Sequence, residues 1–127
     1  VYGNIDDPFD ICKLAEAAGA SFVARSTVYH APLLTNLIAQ AIMHKGCAIV
    51  EAVATCPTLF GRLNKKGDAA EMLLNLQKDS VPLAQAAKMS PEELAGKLVI
   101  GKFVENKDRE EYTERYRKLM LKAKGVN

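Results

Sequence analysis

The stretch Cys47-Ala-Ile-Val-Glu-Ala-Val-Ala-Thr-Cys-Pro-Thr-Leu-Phe-Gly-Arg62 decides how the rest of the chain is read. Its first half is a near-continuous apolar run of strand length. Its second half is an abrupt turn carrying a thiol, a proline and a glycine. The pattern is a strand that delivers Cys56 to a loop. In open parallel sheets, ligands gather just beyond the carboxyl ends of strands, so Cys56 stands where chemistry is expected.

Upstream of this stretch, Ser21-Phe-Val-Ala-Arg-Ser26 reads as a short strand. Pro32 then opens a helix with an apolar stripe of Leu33, Leu34, Leu37, Ile38, Ala41 and Ile42. Lys45-Gly46 ends that helix, a cation and a flexible residue where helix carboxyl ends favour them. Strand, helix and strand with short joints form a βαβ unit, whose strands run parallel. The apolar run Cys47 to Val53 suits a strand covered on both faces, which requires helices on either side of the sheet. Glu51 is its one charge. A carboxylate there needs a partner, and two readings stand: a salt bridge to a neighbouring lysine or arginine, or a role in positioning a cofactor.

Further upstream, Asp7 and Pro8 read as the cap and first position of an opening helix, with Asp10 favouring its positive end. Ile11, Leu14, Ala15 and Ala18 make its buried face, Cys12 lies off the centre of that face, and Gly19 stops the helix. Downstream, 63–67 is a polar loop. Asp68 with Glu71 is a capping-box signature, and Met72, Leu73 and Leu76 supply the buried face of the helix it starts. The chain breaks at Ser80-Val81-Pro82. Ser90-Pro91-Glu92-Glu93 repeats the capping logic for one or two short helices. Leu98 to Val104 is a third strand, in which Gly101 marks a bulge or a close backbone approach. Asp108 with Glu111 starts a last helix, apolar along Tyr112, Tyr116, Leu119 and Met120. Glu111 to Arg115 and Glu114 to Lys118 are its favourable i, i+4 pairs.

At 127 residues the chain fits one domain, and 49% hydrophobic with 25% charged residues is the balance of a folded protein. A formal net charge of +2, with cations and acids interleaved, argues against nucleic acid. No stretch reaches the roughly 20 apolar residues of a membrane-spanning helix. Three cysteines without paired spacing argue against a disulfide framework and for a cytoplasmic, reducing location.

Gly19-Ala-Ser-Phe-Val-Ala-Arg25, Val28-Tyr-His30, His44-Lys-Gly46, Thr55-Cys-Pro-Thr58 and Gly61-Arg-Leu-Asn64 occur in a telling order. Together they resemble the carboxyl-terminal half of the beta subunit of 2-oxoacid:ferredoxin oxidoreductases. Tyr2-Gly3-Asn4 with Pro8-Phe9-Asp10, and Gly101-Lys102-Phe103 before Asp108, Arg109 and Tyr112, extend the resemblance to nearly the whole chain.

The resemblance implies an α/β fold, part of a thiamine-diphosphate-binding fold, with a parallel sheet, the βαβ unit and flanking helices. Residues 1–127 would be a single domain, the carboxyl-terminal part of a larger subunit. The implied activity of the intact complex is oxidative decarboxylation of a 2-oxoacid, coenzyme A accepting the acyl group and ferredoxin the electrons. The basic and aromatic tail, Tyr112 to Lys124, leans towards 2-oxoglutarate over pyruvate. Implied cofactors are thiamine diphosphate, magnesium and a 4Fe-4S cluster. Carried over by residue, Cys56 is one cluster ligand, binding both the cofactor and its metal, whereas Cys12 and Cys47 match no ligand position.

The Gly-Asp-Gly motif with its later asparagine, and the C-x-x-C and further cysteine that complete the cluster, have no counterpart here. No catalytic residue is therefore assigned, and no cofactor is expected on this chain by itself, which is expected to be inactive alone. Expected partners are the amino-terminal half of the same subunit, alpha, gamma or delta subunits, ferredoxin, and a second copy through a cut sheet edge. Nucleic acid and membrane are not among them. The rival reading is a non-catalytic assembly module of the same fold. A third, a small redox or metal protein using all three cysteines, lacks metal-ligand spacing.

Overall fold

A computed structural model describes residues 5, 6 and 8–125. The roles read for Asp7 as a cap and for Tyr2-Gly3-Asn4 lie outside the described residues. Four strands, β1 (Phe22–Thr27), β2 (Ala48–Val53), β3 (Ser80–Pro82) and β4 (Leu98–Glu105), form one sheet in the order β2-β1-β4-β3. Around it lie α1 (Ile11–Ala17), α2 (Ala31–Met43), α3 (Ala69–Asp79), α4 (Leu83–Ala86), α5 (Pro91–Leu94) and α6 (Tyr112–Ala123).

The βαβ unit is present: β1 and β2 pair in parallel, from Phe22 opposite Ala48 to Thr27 opposite Val53, with α2 as the crossover. Ser80 to Pro82, read from sequence as a break, is a strand that pairs in parallel with the start of β4. Three residues containing one proline carry too short a periodic signal to declare themselves, but Val81 is buried and anchors them. The two parallel pairs meet where β1 and β4 run antiparallel. The α/β sheet is thus parallel in two of its pairings and antiparallel in the central one.

Gly101 does what its place in β4 suggested. Its φ of +137° is open to glycine but strained for other residues, and a Cβ would sit 3.2 Å from the Leu83 side chain. Next to it the register slips: Val23 pairs with Val104 and Ala24 with Lys102, which leaves Phe103 as the extra residue of a bulge.

Alternation along β1 builds two cores. Phe22 and Ala24 pack with Leu37 of α2 and with Ala48 and Val50 of β2. Val23, on the other face, packs with Cys12 and Ala15 of α1 and with Ile49 and Phe103. The sheet therefore has a helix on each side, as the apolar reading of β2 required.

Several helix readings are corrected. The first helix starts at Ile11, with Asp10 as its cap: the Asp10 side chain accepts from the Lys13 amide. Pro8 therefore precedes the helix. Cys12 and Ala15 are its buried residues, whereas Ile11 and Leu14 are about half exposed. Of the α2 stripe, Leu37 is fully buried and Ile42 is 77% exposed. At the last helix the cap is Glu111, whose carboxylate accepts from the Glu114 amide, and the Asp108 amide instead donates to Asn106. Its ion pairs join Glu114 to Arg117 and Glu110 to Lys118 in place of the expected ones. The capping boxes of α3 and α5, by contrast, form as read, at Asp68 with Glu71 and at Ser90 with Glu93.

Candidate functional site

The carboxyl ends of the parallel strands β1 and β2 lie side by side, because Thr27 is opposite Val53. Beyond β1 the chain turns through a short 3-10 helix, Val28–His30, and the Thr27 hydroxyl meets His30 Nδ1 at 2.8 Å. Beyond β2 it reaches Cys56, which precedes a five-residue π-helical turn, Pro57–Gly61. The Cys56 carbonyl accepts from the Gly61 amide at 2.9 Å and so closes that turn.

Pro57 fits the first position because it has no amide to satisfy there. Gly61 fits the last because a Cβ would fall 2.4 Å from the sulfur of Met72, a buried residue of α3. The turn is thereby pressed against the helix that follows it. The Cys56 thiol itself is exposed. Hydrogen bonds from the amides of Phe60 and Leu59, with the Thr58 hydroxyl adding to them, hold its pKa below the ordinary thiol value. A thiolate is the form that binds metal or acts as a nucleophile, so this turn prepares Cys56 for either.

The other two cysteines are elsewhere. Cys47 precedes β2 and Cys56 follows it, so the two lie beyond opposite ends of a six-residue strand, roughly 20 Å long at ~3.3 Å per residue. Cys12 is 3% exposed, donates to Glu51 at 3.3 Å, and is pushed up to about 12, chiefly by burial and then by the Glu51 hydrogen bond. It is the centre of the α1 face, not an off-centre residue. The three thiols do not assemble, and among the described residues no three His, Cys, Asp or Glu side chains gather as a metal site.

Glu51 has the ionic partner that one of its readings asked for. Arg25 sits opposite it on β1, and the Arg25 Nε donates to the Glu51 carboxylate at 2.6 Å. A second Arg25 nitrogen reaches Asp10 at 2.6 Å, and the guanidinium lies over the Phe103 ring, 5.5 Å from its centroid. Arg25 is only 8% exposed. Burial pushes the Asp10 carboxyl up, but the Lys13 amide and the Arg25 hydrogen bond and charge together bring it below the usual carboxylate value. This hub ties α1 and the segment before it to both parallel strands. Its signal in the sequence was Glu51 within the apolar run of β2, a carboxylate in need of a cation; the β1 and β2 register supplies Arg25 as that cation.

The sheet with helices on each side places the chain among α/β domains, and residues 1–52 match a family model described as "Thiamine pyrophosphate enzyme, C-terminal TPP binding domain". More particularly, the chain is similar in sequence to beta subunits of 2-oxoacid:ferredoxin oxidoreductases. It is 42% identical over 124 residues to the 2-oxoglutarate synthase subunit KorB of Methanocaldococcus jannaschii, covering 98% of this chain and 46% of that protein. The KorB of Methanothermobacter marburgensis is 44% identical over 104 residues, 82% of this chain and 36% of that protein. The 2-oxoacid:ferredoxin oxidoreductase 2 subunit beta of Aeropyrum pernix is 28% identical over 128 residues, 92% of this chain and 41% of that protein. The chain thus spans less than half the length of these relatives.

Proposed function

We propose that this chain is the part of a 2-oxoacid:ferredoxin oxidoreductase beta subunit that carries the strand-end cysteine. The observation that carries the reading is its similarity, over 98% of its length, to a 2-oxoglutarate synthase beta subunit. In the intact assembly the activity is oxidative decarboxylation of a 2-oxoacid, 2-oxoglutarate in the first instance, with coenzyme A as acyl acceptor and ferredoxin as electron acceptor.

Cys56 is one thiolate ligand of a 4Fe-4S cluster. Its exposure, its lowered pKa and its fixing by the closed turn suit a ligand role. The remaining thiolates have to come from other parts of the assembly, because Cys12 is buried on Glu51 and Cys47 lies at the far end of β2. Thiamine diphosphate, when bound, supplies the electron sink for decarboxylation. Its magnesium and diphosphate ligands belong to the portion of the subunit that this chain does not match. The part played by these residues is structural: the Asp10, Arg25 and Glu51 hub fixes the segment before α1 to the sheet, and β2 sets where Cys56 stands.

Partners follow from the same reading: the rest of the beta subunit, an alpha subunit with any gamma or delta subunits, and ferredoxin, all in the cytoplasm. No helix of the described residues is long and apolar enough to cross a membrane. The chain alone is inactive and self-associates. An assembly role is favoured by one further observation: α6 buries no residue, and its Tyr112, Tyr116 and Leu119 are each more than half exposed.

The test is to purify the complete assembly that contains this chain and to measure coenzyme A-dependent reduction of a ferredoxin or viologen dye. Reduction driven by 2-oxoglutarate supports the proposal. Turnover of pyruvate in preference moves the substrate assignment, and an assembly inert with every 2-oxoacid leaves the assembly-module reading in its place.

A further inference from the structure

His30 stands at the same level of the sheet as Cys56. Thr27 and Val53 are opposite one another in the parallel pair of β1 and β2, and each residue follows three positions later, His30 after Thr27 and Cys56 after Val53. Neighbouring strands lie about 4.8 Å apart. The turns that carry the two residues also share a support, since α3 packs against both the 3-10 turn Val28–His30 and the π-helical turn Pro57–Gly61.

The hydrogen bonds at His30 fix which of its nitrogens carries hydrogen. Thr27 is fully buried, and among the described residues its hydroxyl oxygen has two partners, both in His30. The His30 amide donates to that oxygen at 3.4 Å, which leaves the hydroxyl hydrogen to be placed. Nδ1, at 2.8 Å, is the acceptor within reach. A neutral imidazole offers one acceptor and one donor, so a ring that accepts at Nδ1 carries its hydrogen on Nε2.

Nε2–H has no partner among the described residues, and the ring that presents it is held in place. Thr27 grips Nδ1, and Tyr29 stands edge-on to the ring, with centroids 5.2 Å apart and planes at 72°. A fixed N–H donor next to the turn that holds a thiolate is the arrangement by which hydrogen bonds to sulfur tune an iron-sulfur centre.

We propose that His30 donates through Nε2–H to the sulfur shell of the cluster that Cys56 ligates, and so raises its reduction potential. The inference rests on the oxidoreductase reading and deepens it by naming a residue that tunes electron transfer. Reduction adds one negative charge to such a cluster, so an N–H donated to its sulfur stabilises the reduced form. Of the groups that could accept this hydrogen, the Cys56 thiolate is the one that the strand register and α3 bring alongside. Thr27 is then a positioning residue, whose hydroxyl holds His30 in the donor tautomer.

The experiment is a redox titration of the complete assembly followed by electron paramagnetic resonance, with iron content measured alongside. His30→Leu removes the donor and is expected to lower the ratio of reduced to oxidised cluster at a fixed ambient potential about tenfold, which is about 59 mV for one electron. His30→Gln keeps an N–H and is expected to recover most of that shift, while Thr27→Val, which frees the tautomer, is expected to produce part of it. With isotope-labelled histidine, pulsed paramagnetic resonance of the reduced parent is expected to show a nitrogen coupling that His30→Leu abolishes. A His30→Leu ratio within about twofold of the parent, or the same coupling in that variant, overturns the proposal. Turnover that falls with an unchanged potential also overturns it, because the N–H then serves the 2-oxoacid or another part of the subunit. If His30→Leu loses iron, Thr27→Val and the nitrogen coupling of the parent decide. Failure of the underlying reading looks different: Cys56→Ser then leaves the cluster intact, whereas failure of this inference alone leaves Cys56→Ser deficient and the His30 variants at the parent's potential.

Discussion

Replacing Arg25 by leucine removes the cation that two carboxylates share. In the folded chain Arg25 is 8% exposed, and the side chains it serves are also shielded: Glu51 is 24% and Asp10 32% exposed. Deleting one member of a buried charge set leaves its partners desolvated and unpaired, which costs about 3 to 5 kcal/mol for fully buried groups. Both carboxylates keep some water here, so the lower end, about 3 kcal/mol, is the expected loss. The Cys12 thiol loses part of its setting too, because the Glu51 oxygen it donates to would no longer be held by Arg25.

The assay is urea unfolding followed by circular dichroism. With a slope of about 1.5 kcal/mol per molar, typical for a domain of this size, the midpoint falls by roughly 2 M. The sign of the argument is tested by a second change. Arg25→Leu with Glu51→Leu removes cation and anion together and is expected to recover most of the loss, since an apolar pair can replace a buried ion pair at little cost. An Arg25→Leu midpoint within about 0.3 M of the parent would refute the reasoning, as would a double variant no more stable than the single one.

Acid is expected to act through the same hub. The Asp10 carboxyl is lowered in the folded state, so its contribution is fully present above the ordinary value of 3.8 and is lost as pH falls through the folded value. Asp10→Asn should flatten the fall in stability below about pH 4, and an unchanged acid profile would contradict this. Among the thiols, Cys56 should be alkylated in the native chain at a pH below that for the same residue in urea, while Cys12, pushed up to about 12 and buried, should resist until unfolding; mass spectrometry of labelled peptides decides. Gly61→Ala should destabilise by about 1 to 3 kcal/mol, because the added carbon drives into the Met72 sulfur, and thermal melting at the parent's temperature would count against the packing described.

What the sequence revealed and what it concealed divide along physical lines. Strands β1, β2 and β4 and the capping boxes at Asp68 and Ser90 were legible because each rests on local chemistry, an apolar run or a side chain reaching a nearby amide. The Glu51 pairing was half legible: its need for a cation followed from burial, but the choice of Arg25 needed the β1 and β2 register. Asp10 as the third member was not visible, since it read simply as a helix-start acid. The faces of α1 and α2 misled for a different reason. Periodicity marks apolar residues without saying what covers them, so Ile11, Leu14 and Ile42 read as core although the described residues leave them exposed. At the candidate site, the thiol beyond β2 was legible as a position, while the amide-stabilised turn around it appeared only in three dimensions.

The ligand role proposed for Cys56 concerns the complete assembly. It is tested most directly by Cys56→Ser in the complete complex, read by iron content and by low-temperature electron paramagnetic resonance of the reduced protein. The expected result is loss or marked alteration of one 4Fe-4S signal in a complex that still assembles and still binds thiamine diphosphate. An unchanged signal and full iron content would contradict it.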